Sequence, residues 1–324
     1  MKRQLIVITG AYGFIGSGCV RHLNDLGICE LVLVDDLDET DKWKNLLGKK
    51  YLYSFSKNEL FSFLQDREDD IAAFIHLGAC SDTLETRGQY LMENNVQYSI
   101  KLFEYSARHK KRFIYASSAA TYGSGSLGFE DDHEGLERLE PLNLYGFSKY
   151  YFDVWLKQHH FLGEVVGLKY FNVFGPNENH KGRMASMVYK MVPLVQKEKV
   201  IHLFKSTDPE RFSDGGQKRD FIYVKDAVRM TCDFLTEKSC GIFNIGSGVA
   251  TTWNDLAYAV FKALGIPPKI VYSDMPEEMR KQYQNYTCAQ MDKFRNLGLS
   301  GTEFSIEEAV KEYICDYLLK EKRW

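Results

Sequence analysis

The clearest chemical signal in the chain is a tyrosine and a lysine four positions apart, Tyr145 and Lys149, in the run Tyr145-Gly-Phe-Ser-Lys149. On a helix, side chains at that spacing lie on the same face. A nearby ammonium group lowers the pKa of a phenol, which is ordinarily about 10 and too high for a base at neutral pH. The pair is typical of enzymes that move a proton on a substrate hydroxyl while a nicotinamide cofactor moves the hydride. The spacing alone is common by chance, so the prediction also depends on the residues around it.

Two serines upstream strengthen this prediction. Ser117 and Ser118 directly follow a predicted strand at 113–116. A hydroxyl at the carboxyl end of a parallel strand lies where sheets of this kind bind their ligands. Turn formation is the simpler explanation for each serine alone. In the same chain as the tyrosine and lysine, they indicate a site that binds a substrate oxygen.

Three glycines, Gly10, Gly13 and Gly16, follow the first predicted strand, Leu5–Thr9. Glycine permits a tight turn and lets a pyrophosphate approach the N-terminus of the next helix, where free N–H groups attract anions. Asp35 ends the second predicted strand about 20 residues further on, where an acid can bind a ribose hydroxyl of a dinucleotide. The pattern therefore predicts a nicotinamide dinucleotide site.

The residues after the second strand leave the choice between NAD and NADP open. Asp36, beside Asp35, would repel a 2′-phosphate, whereas Lys42 and Lys57 would attract one. A single lysine in such a position is more often a solvated surface charge. The residues alone therefore predict a nicotinamide cofactor without deciding its phosphate.

Alternating strands and helices must position these groups. Apolar runs predict strands at Leu5–Thr9, 30–34, 72–76, 113–116 and Val165–Tyr170, and helical spacing predicts helices at 14–26, 89–108 and 145–160. This alternation predicts an α/β fold with a doubly wound parallel sheet and a smaller C-terminal substrate-binding domain. We expect residues 1–172 to bind the dinucleotide, with return segments near 217–248 and 287–300, and residues 173–324 mainly to bind substrate. Polar stretches at 177–183 and 206–217 predict loops, and Ser305 with Glu308 predicts a capping box before a final helix.

Composition narrows the class of protein further. The net charge of -3, with both signs mixed along the chain, argues against nucleic acid as the main partner. Seven cysteines without a C-x-x-C pair predict reduced thiols, and the histidines lack metal-ligand spacing, so we expect no metal. The first apolar run is too short for a signal peptide, and no stretch reaches membrane-spanning length. These features predict a cytoplasmic protein without a membrane partner.

Taken together, the motifs resemble the extended short-chain dehydrogenase/reductases of the Rossmann type that act on nucleotide sugars. That resemblance rests on 9–16, 117–123, 145–149, 170–176, 219–226 and 243–246. A narrower resemblance, to the ADP-glyceromanno-heptose 6-epimerase family, rests on the H-K-G-x-M-A-S run at 180–186. It is supported at 78–81, 93–99, 203–206 and 214–221, so it covers nearly the whole chain.

The narrower resemblance implies a specific reaction. That family inverts C6 of the heptose in ADP-D-glycero-D-manno-heptose to the L-glycero form, for lipopolysaccharide core precursor synthesis. Tightly bound NADP removes hydride from C6, leaving a transient ketone, and returns it to the other face. By resemblance, Tyr145 is the acid–base group of one half-reaction and Lys181 that of the other. Lys149 would tune Tyr145 and hold the nicotinamide ribose, and Ser118 would bind the sugar oxygen.

Further site residues carry over by motif match, and the family also implies a homo-oligomer, with a pentamer as a described form. The implied cofactor-binding residues are Gly10, Gly13, Phe14, Ile15, Gly16, Asp35, Asp36, Lys42, Lys57, Leu77, Gly78, Ala79, Cys80, Ser81, Asn94, Lys149, Val173 and Lys181. The implied substrate-binding residues are Ser118, Asn172, Arg183, Lys190, Phe204, Lys205, Ser206, Thr207, Arg219 and Tyr283. Three positions depart from the family pattern: Asp36 replaces a frequent Asn, and Arg183 and Lys190 replace the Ser and His of some members.

Three alternatives remain open at this point. A UDP-hexose 4-epimerase would use Tyr145 alone and let the ketone rotate, with no need of Lys181. A dTDP-sugar dehydratase usually needs an acid pair beside the catalytic serine, where this chain has Ala119 and Ala120. A non-catalytic dinucleotide-binding protein would be expected to lose the tyrosine–lysine pair, which this chain keeps.

Overall fold

The central layer of the molecule is a parallel sheet, and the rest of the chain packs against it. The computed structural model describes residues 4–280 and 283–324, with only the backbone at 278 and 279. The strands are β1 (Leu5–Thr9), β2 (Leu31–Val34), β3 (Tyr53–Phe55), β4 (Ile71–His76), β5 (Arg112–Ser118), β6 (Val165–Tyr170), β7 (Asn172–Phe174), β8 (Ile201–Phe204), β9 (Lys218–Tyr223), β10 (Gly241–Ile245), β11 (Ala250–Thr252) and β12 (Ile270–Ser273). Seven of them form the central sheet, in the order β10-β6-β5-β4-β1-β2-β3.

Helices connect and cover these strands. The α-helices are α1 (Phe14–Asp25), α2 (Leu60–Phe63), α3 (Gly88–Leu91), α4 (Tyr98–Arg108), α5 (Leu144–Gln158), α6 (Met187–Glu198), α7 (Val224–Asp233), α8 (Trp253–Leu264), α9 (Glu277–Arg280), α10 (Asp292–Arg295) and α11 (Ile306–Glu312). Short 3-10 segments lie at Asp41–Leu46, Glu68–Asp70, Ala119–Tyr122, Leu136–Arg138 and Asn179–Met184. No helix in the described part of the chain is long and apolar enough to cross a membrane.

Both faces of the sheet are buried, which explains the continuous apolar runs in its strands. Successive residues of a strand point to opposite faces. Val7 and Phe74 accordingly pack into one hydrophobic cluster, and Ile8 and Ile75 pack into the other. The five residues of β1 are all buried. This two-sided burial is what a doubly wound α/β fold requires, and it confirms the predicted fold class.

The five predicted strands are confirmed, with small differences at their ends. β5 continues to Ser118, two residues beyond its prediction, so both serines belong to the strand. The edge strand β3 and the strand β10 were not predicted as strands. β10 lies far along the sequence yet pairs with β6, for example Gly241 with Val166. Only tertiary packing brings that segment back into the sheet.

Three helical or loop predictions can be compared with the structure. The predicted helix at 89–108 is interrupted by a π-helical turn, Met92–Gln97, between α3 and α4. The predicted loop at 177–183 is partly wrong, because Asn179–Met184 forms 3-10 turns with a kink at Gly182. The capping box of Ser305 and Glu308 opens α11 as predicted. All seven cysteines are free thiols.

Two smaller sheets lie beyond the central one. β7, β9 and β11 form a three-stranded sheet, and β8 and β12 form a two-stranded one. Their residues all follow position 171 in the chain. The exact division into a dinucleotide-binding part and a substrate-binding part stays a prediction.

A buried ion pair fastens α5 to the sheet. Lys169 Nζ, on β6, lies 3.0 Å from Asp153 Oδ2, and the two side chains are 1% and 0% exposed. Asp153 also accepts hydrogen bonds from Tyr115 (2.8 Å) and Ser117 (2.7 Å) on β5. Charges this deeply buried are tolerated only when each has a close partner. The pair therefore sets how the helix carrying Tyr145 lies on the sheet.

Removing one partner should destabilise the protein strongly. We expect Lys169→Met to lower the free energy of unfolding by about 3–5 kcal/mol, because Asp153 is left buried and unpaired. The double change Asp153→Asn with Lys169→Met should recover most of that loss. Urea denaturation checks both. Lys157→Met is the control, since its pair with Glu137 is 26% and 41% exposed and should be worth less than about 1 kcal/mol. Equal losses for Lys169→Met and Lys157→Met would contradict this account.

Candidate active site

A cleft of about 870 Å³ opens at the carboxyl ends of the central strands. Its wall includes the glycine turn after β1, the loop after β4, the end of β5, the start of α5 and the 3-10 segment Asn179–Met184. Parallel strands present their carboxyl ends at one edge, and ligands of doubly wound sheets bind in the crevice outside that edge. The volume suits a ligand of cofactor size.

The glycine turn brings backbone atoms together where no side chain would fit. Gly10 has φ +67°, and a Cβ built on it would lie 2.7 Å from N of Gly78. A Cβ on Gly16 would lie 2.1 Å from the carbonyl oxygen of Gly10. The turn therefore leaves the N-terminus of α1 bare toward the cleft, where its free N–H groups can hold a pyrophosphate.

Asp35, the first acid after β2, is held by hydrogen bonds. Asp35 accepts hydrogen bonds from the backbone N of Tyr12 (2.9 Å) and from Lys42 Nζ (3.2 Å). Burial lowers the pKa of Lys42, but attraction to Asp35 and Asp38 outweighs it, so the net pKa is raised. Asp35 and Lys42, which the sequence predicted to bind cofactor, both line the cleft.

A second pair lies just outside the cleft wall. Lys57 Nζ is 3.4 Å from Asp36 Oδ2 and donates a hydrogen bond to Asn94 Oδ1 (2.9 Å). These three residues were predicted to bind cofactor, and the structure brings them together as a group beside Asp35 rather than into the lining of the cleft. Their part in cofactor binding stays a prediction.

The loop after β4 is fixed by a buried asparagine that sequence reasoning did not single out. Asn95 bonds both polar atoms of the Cys80 backbone, accepting from N (2.8 Å) and donating to O (3.0 Å). It also donates to Ser148 Oγ on α5 (3.0 Å). Asn95 lies in the π-helical turn Met92–Gln97, which turns this residue inward. One side chain thus ties the cofactor-side loop to the helix that carries Tyr145.

A directed hydrogen-bond chain continues below that asparagine. Ser99 Oγ donates to Asn95 O (2.6 Å), so it must accept from His76 Nε2 (2.8 Å). His76 Nδ1 then accepts from Thr9 Oγ1 (2.6 Å), which accepts from Gly78 N (3.0 Å). Burial lowers the pKa of His76 to about 3, so the ring is neutral in this chain. The sequence offered no signal for this arrangement beyond a polar residue in an apolar strand.

Tyr145, Lys149 and Ser118, three of the predicted catalytic residues, all line the cleft. Tyr145 is half-buried, and Ser118 donates a hydrogen bond to its phenol oxygen. Lys149 is buried, and its Nζ donates to Ala116 O (2.8 Å). Ser118 Oγ accepts from Ala120 N (3.1 Å), which leaves its own proton free to donate.

The pKa values differ from the sequence prediction. Burial raises the pKa of Tyr145, and the hydrogen bond from Ser118 only partly opposes this, whereas we predicted that Lys149 would lower it. Burial also lowers the pKa of Lys149 to about 8, with Asp153 acting in the opposite direction. The physical reason is that the cleft floor disfavours both the phenolate and the ammonium form. Lys149 therefore carries its charge against a large desolvation cost.

Lys181 enters the same cleft from the 3-10 segment Asn179–Met184. Its Nζ lies 5.2 Å from the ring centre of Phe14, at the start of α1. Burial lowers the pKa of Lys181, with Glu178 raising it and Lys190 lowering it further. Glu178 is buried and accepts hydrogen bonds from Gly175 N (3.2 Å) and Ser186 Oγ (2.7 Å), so it fixes both ends of the segment. A lysine with a depressed pKa in a cleft is suited to proton transfer.

The predicted substrate-binding residues divide into two groups. Asn172, Arg183 and Ser118 line the cleft, and Arg183 forms an ion pair with Asp82 at its mouth. Lys190 does not line the cleft, and its Nζ donates a hydrogen bond to the Arg183 carbonyl oxygen (2.7 Å). The remaining predicted residues lie outside this lining: Phe204 on β8, Lys205, Ser206 and Thr207 directly after it, Arg219 on β9, and Tyr283 after α9.

A tryptophan missed by sequence reasoning connects the two groups. Trp253 lines the cleft, and its Nε1 donates to Tyr283 OH (2.9 Å). The Arg219 guanidinium lies 4.8 Å from the Tyr283 ring centre and 5.8 Å from that of Trp253. Burial lowers the pKa of Arg219, although a guanidinium stays charged. Trp253 thus connects the wall of the cleft to Arg219 and Tyr283, which lie outside it.

The arrangement fits a nicotinamide dinucleotide. The bare N-terminus of α1 suits a pyrophosphate, and Asp35 suits a ribose. Tyr145 and Lys181 are two groups in one cleft that can each take a proton from a ligand or give one to it. Among residues 4–280 and 283–324, no three His, Cys, Asp or Glu side chains are grouped as metal ligands. Proton transfer coupled to hydride transfer is the chemistry that these residues can support.

Several known proteins are similar to this chain over nearly its whole length. Residues 6–246 match the family model described as "NAD dependent epimerase/dehydratase family". A protein of Nitratidesulfovibrio vulgaris named ADP-L-glycero-D-manno-heptose-6-epimerase is 46% identical over 317 residues, covering 97% of this chain and 98% of that protein. The crystal structure of the Helicobacter pylori protein of the same name has a TM-score of 0.78 and 27% identity, covering 97% of this chain and 96% of that one. A UDP-N-acetylglucosamine 4-epimerase from Methanobrevibacter ruminantium has a TM-score of 0.82 at 23% identity, covering 99% of this chain and 100% of that one, which shows the shared fold.

The ionisation of Lys149 can be measured directly. We expect the side-chain NMR signals of Lys149 to titrate with a midpoint at about pH 8, because burial opposes its charge. The signal is assigned by its loss in Lys149→Met. Asp153→Asn should move the midpoint lower still, since Asp153 favours the charged form. A midpoint at the ordinary lysine value of about 10.4 would contradict this picture of the cleft floor.

Proposed function

This chain belongs to the NAD dependent epimerase/dehydratase family, and we propose that it inverts C6 of the heptose in ADP-D-glycero-D-manno-heptose to the L-glycero form. The observation that carries the proposal is that Tyr145 and Lys181, from separate segments, line one cleft. The relative at 46% identity is named for this heptose and this position. We further propose a cytoplasmic homo-oligomer that supplies a precursor of lipopolysaccharide core.

The reaction needs two proton-transferring groups. The cleft lined by the glycine turn, Asp35 and Lys149 would hold the nicotinamide cofactor, which would supply hydride removal from C6 and hydride return to the opposite face. In the first half-reaction, one of Tyr145 and Lys181 takes the proton of the C6 hydroxyl as the C6–H bond breaks. In the second, the other group gives a proton to the carbonyl oxygen as the new C6–H bond forms. One group thus gains the proton that the other loses, and exchange with water returns both to their starting states, so no external reductant is consumed.

The surrounding residues support these two roles. Ser118 can redirect its proton from the Tyr145 phenol oxygen to the sugar oxygen when substrate binds, because its Oγ already accepts from Ala120 N. Burial depresses the pKa of Lys181, so its neutral form, which can act as a base, is easier to reach. Arg219 is a cation held by two aromatic rings and suits the diphosphate of a nucleotide sugar.

NADP is our proposed cofactor within the nicotinamide dinucleotides that the family uses. Lys42 and Lys57 provide two ammonium groups beside Asp35, where a 2′-phosphate of the adenosine ribose would lie. Asp36 opposes them, because its carboxylate pairs with Lys57 and its side chain is 44% exposed. We therefore expect NADP to bind through both lysines. The enzyme should prefer NADP to NAD, and Asp36 should weaken that preference.

The reaction can be tested on the purified enzyme without added cofactor. We expect ADP-D-glycero-D-manno-heptose to convert to its C6 epimer, followed by proton NMR, with no net change in nicotinamide absorbance. Tyr145→Phe and Lys181→Met should each slow the conversion by about a hundredfold or more, because each removes one acid–base group. Their thermal unfolding midpoints serve as folding controls.

Other outcomes select other reactions. Conversion of UDP-glucose to UDP-galactose, with full activity in Lys181→Met, would contradict the proposal and favour a UDP-hexose 4-epimerase. Loss of water from dTDP-glucose would favour a dehydratase. Binding of cofactor without turnover of any nucleotide sugar, even after NADP and NAD are added, would favour a non-catalytic dinucleotide-binding protein.

Cofactor preference should respond to one carboxylate. We expect Asp36→Asn to raise the affinity for NADP relative to NAD by roughly tenfold, since one like charge near a phosphate costs on the order of 1 kcal/mol at a protein surface. Lys57→Met should change the ratio in the opposite direction. Calorimetric titration of cofactor-stripped enzyme measures both ratios. An unchanged ratio in both variants would show that these side chains do not meet the 2′ position.

A further inference from the structure

We propose that Trp324 is a positioning residue for Lys181, acting through Asn177 as a clasp on the segment that carries the lysine. The inference rests on the proposed function, because it assigns the clasp to one of the two acid–base groups. Neither Trp324 nor Asn177 lines the cleft. Their effect on the reaction would therefore pass through the backbone between 177 and 181.

Asn177 is the fixed point of this clasp. It is fully buried and has φ +78°, a left-handed conformation that is costly for most residues but accessible to asparagine. Its Oδ1 accepts from the backbone N of Trp324 (2.8 Å), and its Nδ2 donates to Trp324 O (3.1 Å) and to Ser17 Oγ (3.0 Å). Three hydrogen bonds thus hold a conformation that the backbone alone disfavours.

The same contacts reach the segment that carries Lys42. Lys49 Nζ donates to Trp324 O (2.5 Å) and to Asn45 O (2.6 Å). Asn45 Nδ2 in turn donates to Asn177 O (3.1 Å). Burial lowers the pKa of Lys49 to about 8, which agrees with its enclosed position. Trp324, Asn177 and the 3-10 segment Asp41–Leu46 are therefore joined in a closed ring of hydrogen bonds.

The indole ring of Trp324 anchors the clasp to helix α1. A Cβ built on Gly18 would lie 2.9 Å from Cζ3 of Trp324, so the ring lies directly against the bare helix backbone at that glycine. On another side, Lys225 Nζ lies 5.6 Å from the ring centre. The ring is thus held by α1 and α7, while the backbone of the same residue holds Asn177.

The position of Lys181 follows from these contacts. Lys181 N donates to Glu178 O (2.9 Å), so the turn that carries the lysine begins directly after Asn177. The opposite face of that turn is the cleft, where Lys181 Nζ faces Phe14 of α1. The clasp, through Trp324, and Lys181 therefore both contact helix α1. Loss of the clasp would let the lysine move relative to Tyr145, and a displacement of about 1 Å can cost about a hundredfold in rate.

Two variants test the clasp from its two sides. Trp324→Ala removes the ring, and Asn177→Gly removes the side-chain hydrogen bonds while permitting a positive φ. We expect each to lower kcat for heptose epimerisation by about tenfold to a hundredfold, with KM changed less than about threefold. Trp324→Phe should restore part of the rate. Leu319→Ala, an exposed side chain (47%) nearby in sequence, is the matched control and should leave the rate unchanged.

A second measurement distinguishes positioning from general damage. With Lys181→Met already present, Trp324→Ala should leave unchanged, within about twofold, the half-reaction that Tyr145 serves, seen as reduced cofactor formed from one epimer. A further large loss in that background would overturn the proposal. So would a wild-type rate in both Trp324→Ala and Asn177→Gly.

Hydrogen exchange keeps the two proposals separate. Amide exchange of residues 177–184 should be faster in Trp324→Ala and Asn177→Gly than in the wild-type protein, whether or not any heptose is turned over. If the wild-type protein converts no heptose, the proposed reaction fails, and exchange still decides whether the clasp exists. Unchanged exchange in both variants would overturn the clasp even in an active enzyme.

Discussion

Where β1 and β4 end side by side, backbone meets backbone at Gly10 and Gly78, with no room for a side chain between them. The rest of the cleft depends on this close approach. From that point α1 leaves in one direction and the loop after β4 leaves in another, which opens the crevice at the strand ends. The chain Gly78–Thr9–His76–Ser99–Asn95 then holds the two ends in register, and Asn95 passes the constraint on to α5 through Ser148.

Burial of charge is the second organising feature of the site. Tyr145, Lys149 and Asp153 follow one another at four-residue spacing along α5, from the cleft floor to the core. Asp153 is held by Lys169 of β6 and favours the charged form of Lys149 above it. On the other side of the cleft, the buried Glu178 plays the corresponding part for Lys181. Each lysine in the site thus has a carboxylate behind it, which keeps its charge within reach despite desolvation.

Much of this could be predicted from the sequence, because the signals are local. The glycine turn, the acid after β2, the serine at the end of β5 and the spacing of Tyr145 and Lys149 each depend on a few neighbouring residues, and the structure brings all of them to one cleft. The edge strand β3 was missed because it is only three residues long. β10 was not predicted as a strand because its partner, β6, is remote in sequence and no local pattern records the pairing.

The sequence by itself determined the fold class and predicted the dinucleotide turn and the Tyr145–Lys149 pair, because periodicity and spacing act over a few residues, whereas Lys181 was predicted only from a family resemblance. Only the tertiary structure decided how those groups ionise and what supports them. Burial raises the pKa of Tyr145 where a neighbouring lysine alone predicted the opposite, and desolvation depends on everything packed around a group. The same holds for Asn95, Trp253 and Trp324, whose contacts join segments far apart in the chain. Such contacts leave no local pattern in the sequence, since they exist only once the strands and helices have packed.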